Sequence, residues 1–159
     1  MNVFKESLKQ YKEIHIKSCI ELKFSNGGHL FAAANTNSIN VYNFYTGENR
    51  SDMAFKNHKG WVKTISWFED DTGFVSAGLD GMIYIWDLKN SNHPEFYFKN
   101  KGTVFQCVEK SPDSEKWVFA VGTDKTLREI SFKQQTSDKS GPGGSGAVIQ
   151  AMAGEKGKK

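Results

Sequence analysis

Cysteine is scarce: the 159 residues hold two, Cys19 and Cys107. That is too few for a disulfide framework, which excludes the small stapled folds of secreted modules. Metal-ligand patterning is also missing. His15, His29, His58 and His93 are scattered, and neither cysteine has a CxxC partner, so no zinc pattern exists. Asp70 and Asp71 lie in a loop without calcium-loop spacing and read as a solvated turn. Asn26-Gly27-Gly28 is too short for a phosphate loop and opens no helix. No metal or cofactor is therefore expected. No apolar run is long enough to span a bilayer, and the first residues lack the apolar core of a secretion signal. The expectation is a soluble intracellular protein without membrane contact. The net charge of +3 is small and the signs are interspersed. No Lys/Arg run lies among stacking aromatics, so there is no nucleic-acid footprint. Lys156, Lys158 and Lys159 make a weak basic tip that reads as solvated tail.

What the chain does have is a repeat. Segments beginning at His29, Gly73 and Trp117 align without gaps at a spacing of 44 residues. Ala34, Gly78 and Gly122 fall together, as do Ile39, Ile83 and Leu127, and Tyr42, Trp86 and Ile130. A spacing of about 40–45 residues is that of WD repeats, each a four-stranded propeller blade. Each segment reads as two strands around a tight turn. In the second, Phe74 to Gly78 and Ile83 to Leu88 flank Asp80-Gly81, a hairpin signal that predicts a type I′ turn. A strand rich in β-formers precedes each pair, at Cys19–Phe24, Val62–Phe68 and Val104–Val108. Short outer strands are expected at Asp52–Lys56 and Glu95–Lys99.

The predicted fold is all-β: a partial WD-repeat β-propeller of about three four-stranded antiparallel blades, the third blade's outer strand being open. Residues 18–133 form the blades. Residues 1–17 precede them, with Tyr11–Ile16 as a candidate outer strand of an earlier blade. Residues 134–159 form a tail rich in Gly, Ser and Lys, in which Gly146–Met152 is either an orphan strand of a fourth blade or unfolded. Cys19 and Cys107 then sit on non-adjacent blades, too far apart to bridge, and read as reduced thiols. Complete propellers have roughly four to eight blades. Three do not close a ring, and open sheet edges invite pairing, so a partner chain that completes the propeller is expected.

One polar constellation stands out: His58, Ser76, Asp80 and Trp86. A His, a hydroxyl and a carboxylate suggest a hydrolase triad, but no nucleophile elbow accompanies them. Their order and spacing resemble instead the structural tetrad of WD repeats, in which indole, hydroxyl, imidazole and carboxylate satisfy one another. The first repeat has Ala32, Thr36 and Tyr42 at the corresponding places and the third has Ala120, Asp124 and Ile130. The middle blade is thus expected to be the most rigid. Trp67 should pack in the core, and Trp61 at a rim or between blades.

Asn57-His58 through Trp86-Asp87 resembles a WD repeat. The stretches Phe24 to Ala33 and Phe119 to Ile130 are similar to the ciliary WD-repeat family of cilia- and flagella-associated protein fifty-seven. The resemblance runs from about Tyr11 to Phe132. It implies a non-enzymatic structural component of the motile cilium or flagellum axoneme, part of its cytoskeleton. It further implies partners among axonemal proteins, inner dynein arm or regulatory components, and doublet microtubules. The chain departs from that family in having no heptad coiled coil and few blades. The alternative is a generic cytosolic WD-repeat adaptor in a multiprotein complex.

Overall fold

The computed structural model describes residues 10, 12–16, 18–90, 93–112, 117–132 and 147–148. Among these there are strands and turns and no helix. The first sheet has the order β1 (Cys19–Phe24), β2 (Leu30–Asn35), β3 (Ser38–Asn43) and β4 (Asn49–Phe55). The second runs β5 (Val62–Trp67), β6 (Gly73–Gly78), β7 (Met82–Asp87) and β8 (Phe96–Lys99). The third has β9 (Phe105–Lys110), β10 (Trp117–Gly122) and β11 (Leu127–Ser131). Every pairing within these runs is antiparallel. The three sheets are the three expected blades, and the innermost strands β1, β5 and β9 stand side by side.

Period-two alternation gives each blade two faces. Leu30, Ala32, Ala34, Ile39, Val41 and Phe55 turn one face of blade one toward Ile65, Trp67, Phe74 and Trp86 of blade two. The opposite face of blade two, with Val75, Ile83, Ile85 and Phe98, packs on Val108, Val118 and Ile130 of blade three. Blade two is therefore apolar on both sides, and β6 is buried from end to end. The polar positions that break this pattern, Ser76 and His58, are buried too.

Two expectations need correction. The alignment without gaps fails in blade one. There β2 and β3 close with Asn35 opposite Ser38, a turn one residue shorter than that of blade two. The shift places Ala33, not Ala32, where Ser76 stands: Ala33 pairs with Asn40 as Ser76 pairs with Tyr84. Phe31 then takes the place of Phe74, opposite Tyr42 as Phe74 is opposite Trp86. Secondly, the Asp80-Gly81 turn is not type I′. Of its two residues only Gly81 has positive φ, at 71°, and Gly81 N–H donates to Gly78 O at 3.3 Å. The pattern is a turn centred on Leu79-Asp80 followed by a left-handed residue. A side chain at Gly81 would meet Asn100 O at 2.5 Å.

Residues 12–16, the candidate outer strand of an earlier blade, make no strand pairing among the described residues. Ile14 and Ile16 instead pack on Phe31, Ala33 and Tyr42 of blade one. Lys12 Nζ anchors the segment by donating to Phe44 O (3.0 Å) and Tyr45 O (2.7 Å). In the tail, β12 (Ala147–Val148) runs parallel to β8 and so extends the outer edge of blade two. The rest of residues 134–159, with the basic tip, lies outside the described residues.

Candidate functional site

The second blade brings His58, Ser76, Asp80 and Trp86 together. Trp86, on β7, donates its Nε1–H to Ser76 Oγ at 2.8 Å. Ser76, on β6, lies 2.8 Å from His58 Nε2. His58 Nδ1 lies 3.0 and 3.1 Å from the two Asp80 carboxylate oxygens. The carboxylate only accepts, so Nδ1 carries a hydrogen and donates to it. Nε2 shares a hydrogen bond with the Ser76 hydroxyl, whose oxygen also accepts from the indole. Asp80 also accepts the backbone N–H groups of Lys59 (2.8 Å) and Met82 (3.1 Å).

Burial shapes the electrostatics. Ser76 and Trp86 are wholly buried and the His58 side chain is 1 % exposed. Burial pushes the Asp80 carboxyl up, but the His58 hydrogen bond, the His58 charge and the two backbone donors outweigh it and hold the group below its ordinary value. The Tyr84 ring meets His58 edge-on at 4.7 Å, and its hydroxyl donates to Asn57 O at 3.2 Å. Gly78 makes room for this set: a Cβ there would meet Trp61 O at 2.8 Å and His58 Nδ1 at 3.0 Å. Tyr84 and the Lys59 and Met82 amides were not legible in the sequence, because their roles come from where the turn folds back.

The geometry bears on what the chain of groups can do chemically. A nucleophilic hydroxyl needs an open side from which a carbonyl approaches. Ser76 Oγ has the indole on one side and the imidazole on the other, at zero exposure. Two surface cavities, of about 360 and 420 Å³, are lined by other residues, among them Lys23, Phe68, Glu109 and Pro112.

The other blades keep fragments of the set. Asp124 stands in blade three where Asp80 stands in blade two, but its partner is Arg128. Arg128 Nη1 donates to Asp124 Oδ1 at 3.0 Å, Nη2 reaches Oδ2, and Thr103 Oγ1 donates at 3.1 Å. These donors hold the carboxyl at about 2, the Arg128 bond being the main cause. Asp71 is not the solvated turn residue that sequence suggested. Its carboxylate accepts the Asn26 and Gly27 N–H groups at 2.7 Å each and clamps blade one to blade two. Asn26-Gly27 thus forms an anion cradle, filled by the chain's own carboxylate. Asp70 accepts from the Thr72 N–H and hydroxyl and shapes the turn. Trp67 is buried and donates to Lys23 O at 3.0 Å, whereas Trp61 is 54 % exposed. Cys19 and Cys107 are free thiols. Among the described residues no group of His, Cys, Asp and Glu is arranged to hold a metal ion.

Residues 50–87 match the WD domain, G-beta repeat family. The match spans the whole tetrad. The structure of the Myceliophteria thermophila Cps50 (Swd1) β-propeller domain is similar with a TM-score of 0.70 at 13% identity, covering 77% of this chain and 37% of that one. The chain is a partial WD-repeat β-propeller. Cilia- and flagella-associated protein 57 of Mus musculus is 40% identical over 131 residues, which is 82% of this chain and 10% of that protein. Cilia- and flagella-associated protein 57 C of Tetrahymena thermophila is 42% identical over 139 residues, 80% of this chain and 11% of that protein. The chain thus matches one part of these proteins and spans about a tenth of their length.

Proposed function

We propose that the chain is a non-enzymatic scaffold module of the motile cilium or flagellum axoneme. The observation that carries this reading is the reach of the similarity. The general WD pattern accounts for residues 50–87, whereas 40% identity to a cilia- and flagella-associated protein runs over 131 residues. Blade one lacks the tetrad side chains and blade three keeps only Asp124, so the similarity to the ciliary protein reaches well beyond the repeat that carries the full tetrad. The partners in this reading are other axonemal proteins, inner dynein arm or regulatory components, doublet microtubules, and a chain that completes the propeller.

The four-residue chain of blade two has a structural role in this proposal. It ties the loop that carries His58 to the turn that carries Asp80, and each member satisfies its neighbour. The exposed surface fits contact by shape: Tyr45, Trp61 and Leu127 are more than half exposed, and aromatic anchors are typical of interaction sites.

Proximity labelling of the endogenous protein in ciliated cells, with fluorescence localisation, tests the proposal. Enrichment of axonemal dyneins and tubulin is expected. A cytosolic signal without ciliary neighbours would leave a WD-repeat adaptor and remove the axonemal reading. A turnover lost in His58→Ala while the fold survives would remove the structural role of the tetrad.

A further inference from the structure

Charge is divided between the two ends of blades two and three. At the end that carries the tetrad, backbone bonds tie the strand connections together. Leu79 N–H donates to Trp61 O, Asn100 N–H to Gly81 O and Thr123 N–H to Val104 O. In and beside these connections lie Lys56, Lys59, Lys63, Lys99, Lys101 and Lys125, all but Lys63 exposed. The carboxylates there are Asp80 and Asp124, and both are taken: Asp80 by His58 and two amides, Asp124 by Arg128. Among the described residues no carboxylate lies within ion-pair reach of any of these lysines. The opposite end carries Glu69, Asp70, Asp71, Asp87 and Glu95 in and beside its turns. At the cationic end Trp61, which lies between Lys59 and Lys63, is 54 % exposed, and Leu79 beside it is 38 % exposed.

We propose that the cationic end of blades two and three binds an extended acidic polypeptide segment, rich in Glu or Asp, with Trp61 as its apolar anchor. The inference rests on the reading of the chain as a scaffold, and not on where in the cell that scaffold works. Lysines gathered at one end without counter-charges repel one another. An acidic segment relieves that repulsion and is steered in by the same field. A flexible chain sets a carboxylate at each ammonium as it crosses the connections. Its methylenes, or an apolar residue within it, cover the indole and Leu79. The acidic turns at the far end repel the same segment, so it has one end of the blades to choose.

A polypeptide, rather than a nucleic acid, is favoured by the groups present. Phosphates are gripped best by the guanidinium fork. Arg128, the arginine of this end, already holds Asp124. Single strands of nucleic acid are also held on a series of aromatic faces on which successive bases stack. Among the described residues this end exposes one large aromatic side chain, Trp61. Lysine is a hydrated point charge on a flexible stem, and six such stems suit carboxylates at irregular spacing.

Fluorescence polarisation of a labelled polyglutamate peptide, titrated with the full 159-residue chain, tests this. Saturable binding is expected, weakening by roughly tenfold or more between about 25 and 250 mM salt. Lys59→Gln with Lys101→Gln should weaken it by roughly threefold to tenfold, and Trp61→Ala by a similar factor. Circular dichroism should stay unchanged, because all three side chains are exposed. Lys158→Gln with Lys159→Gln removes the same charge from outside these connections and should leave the affinity as it was. Equal weakening by the two lysine pairs would show that net charge alone attracts the peptide, which overturns the inference. So does a Trp61→Ala chain that binds as before. Absence of binding at about 100 µM, a concentration that saturates micromolar contacts, overturns it too. A single-stranded RNA that binds more tightly than polyglutamate, and is weakened by the same variants, replaces the acidic partner with a nucleic acid. Failure here is separable from failure of the axonemal reading. A chain that enters cilia yet leaves polyglutamate unbound sinks the acidic partner alone, and a chain that binds it but stays in the cytosol sinks the axonemal reading alone.

Discussion

Blades two and three carry a carboxylate at the same place in a turn of the same length, and they satisfy it in opposite ways. Asp80 is buried against His58 and two backbone N–H groups, inside a chain that ends on Trp86. Asp124 sits nearer solvent and takes a guanidinium from four residues further along. The rest of the set changes with it: Ala120 replaces Ser76 and Ile130 replaces Trp86. The difference teaches that the carboxylate at the turn belongs to the hairpin, whereas the imidazole, hydroxyl and indole belong to the blade's packing. A buried network has value only when complete. Blade two keeps every member, and blade three keeps the one that works alone.

Truncation at the indole position should break the comparison most severely. Trp86 is wholly buried and touches Phe55 and Phe74. Trp86→Ala is expected to cost about 3–5 kcal/mol, from lost area and a residual cavity. It also removes the Ser76 donor. A urea titration followed by circular dichroism reads the shift in midpoint. A cost below about 1 kcal/mol would show that blade two is not where stability concentrates.

Next comes the imidazole against the guanidinium. His58→Ala leaves Asp80 and Ser76 buried with a partner missing, which is expected to cost about 1–3 kcal/mol. Arg128→Ala should produce a smaller loss that added salt abolishes, because partly exposed pairs are screened. Equal effects would mean that burial does not distinguish the two blades. Asp71→Ala sharpens the contrast from another direction, since it breaks a clamp between blades. A loss of about 1–2 kcal/mol is expected from two charge-assisted bonds near the surface. Amide exchange should accelerate along β1 and β5, where blades one and two meet, more than along β9.

The sequence stated much of this and missed the rest for identifiable reasons. β1 was legible to the residue at Cys19–Phe24, and β5 from its start at Val62, because β-formers recur at alternate positions and the runs end at turn residues. The tetrad residues were legible because their order and spacing are local to one repeat. The register of blade one was not. A turn shortened by one residue moves every side chain of β2 relative to the repeat, yet leaves the alignment of β3 intact. The turn type at Asp80-Gly81 was missed because Asp-Gly also fits a turn with one left-handed residue. The Asp71 clamp was invisible, since its donors lie 44 and 45 residues away on another blade. Ile14 and Ile16 show the period of a strand, but their alternation serves packing on Phe31 and Tyr42 without a ladder.

Acid separates the two carboxylates more finely than truncation does. Both have a folded-state pKa below the ordinary carboxylate value. A depressed folded value means that the ionised form stabilises the fold. That contribution is complete above the unfolded value and is lost as pH falls through the folded one. For Asp124 the window runs from the ordinary value of 3.8 down to about 2. For Asp80 it opens at the same upper bound. The advantage of the parent chain over Asp80→Asn should therefore shrink on acidification below 3.8. The advantage over Asp124→Asn should shrink in the same range, but at neutral pH it should also fall with salt. Asp80 is shielded by burial, so its neutral-pH advantage should be nearly independent of salt. Stability of the three chains at low and high salt, each across the acid range, decides the matter. If Asp80→Asn proves as salt-sensitive as Asp124→Asn, the buried chain of blade two is open to solvent, and its difference from blade three is one of sequence only.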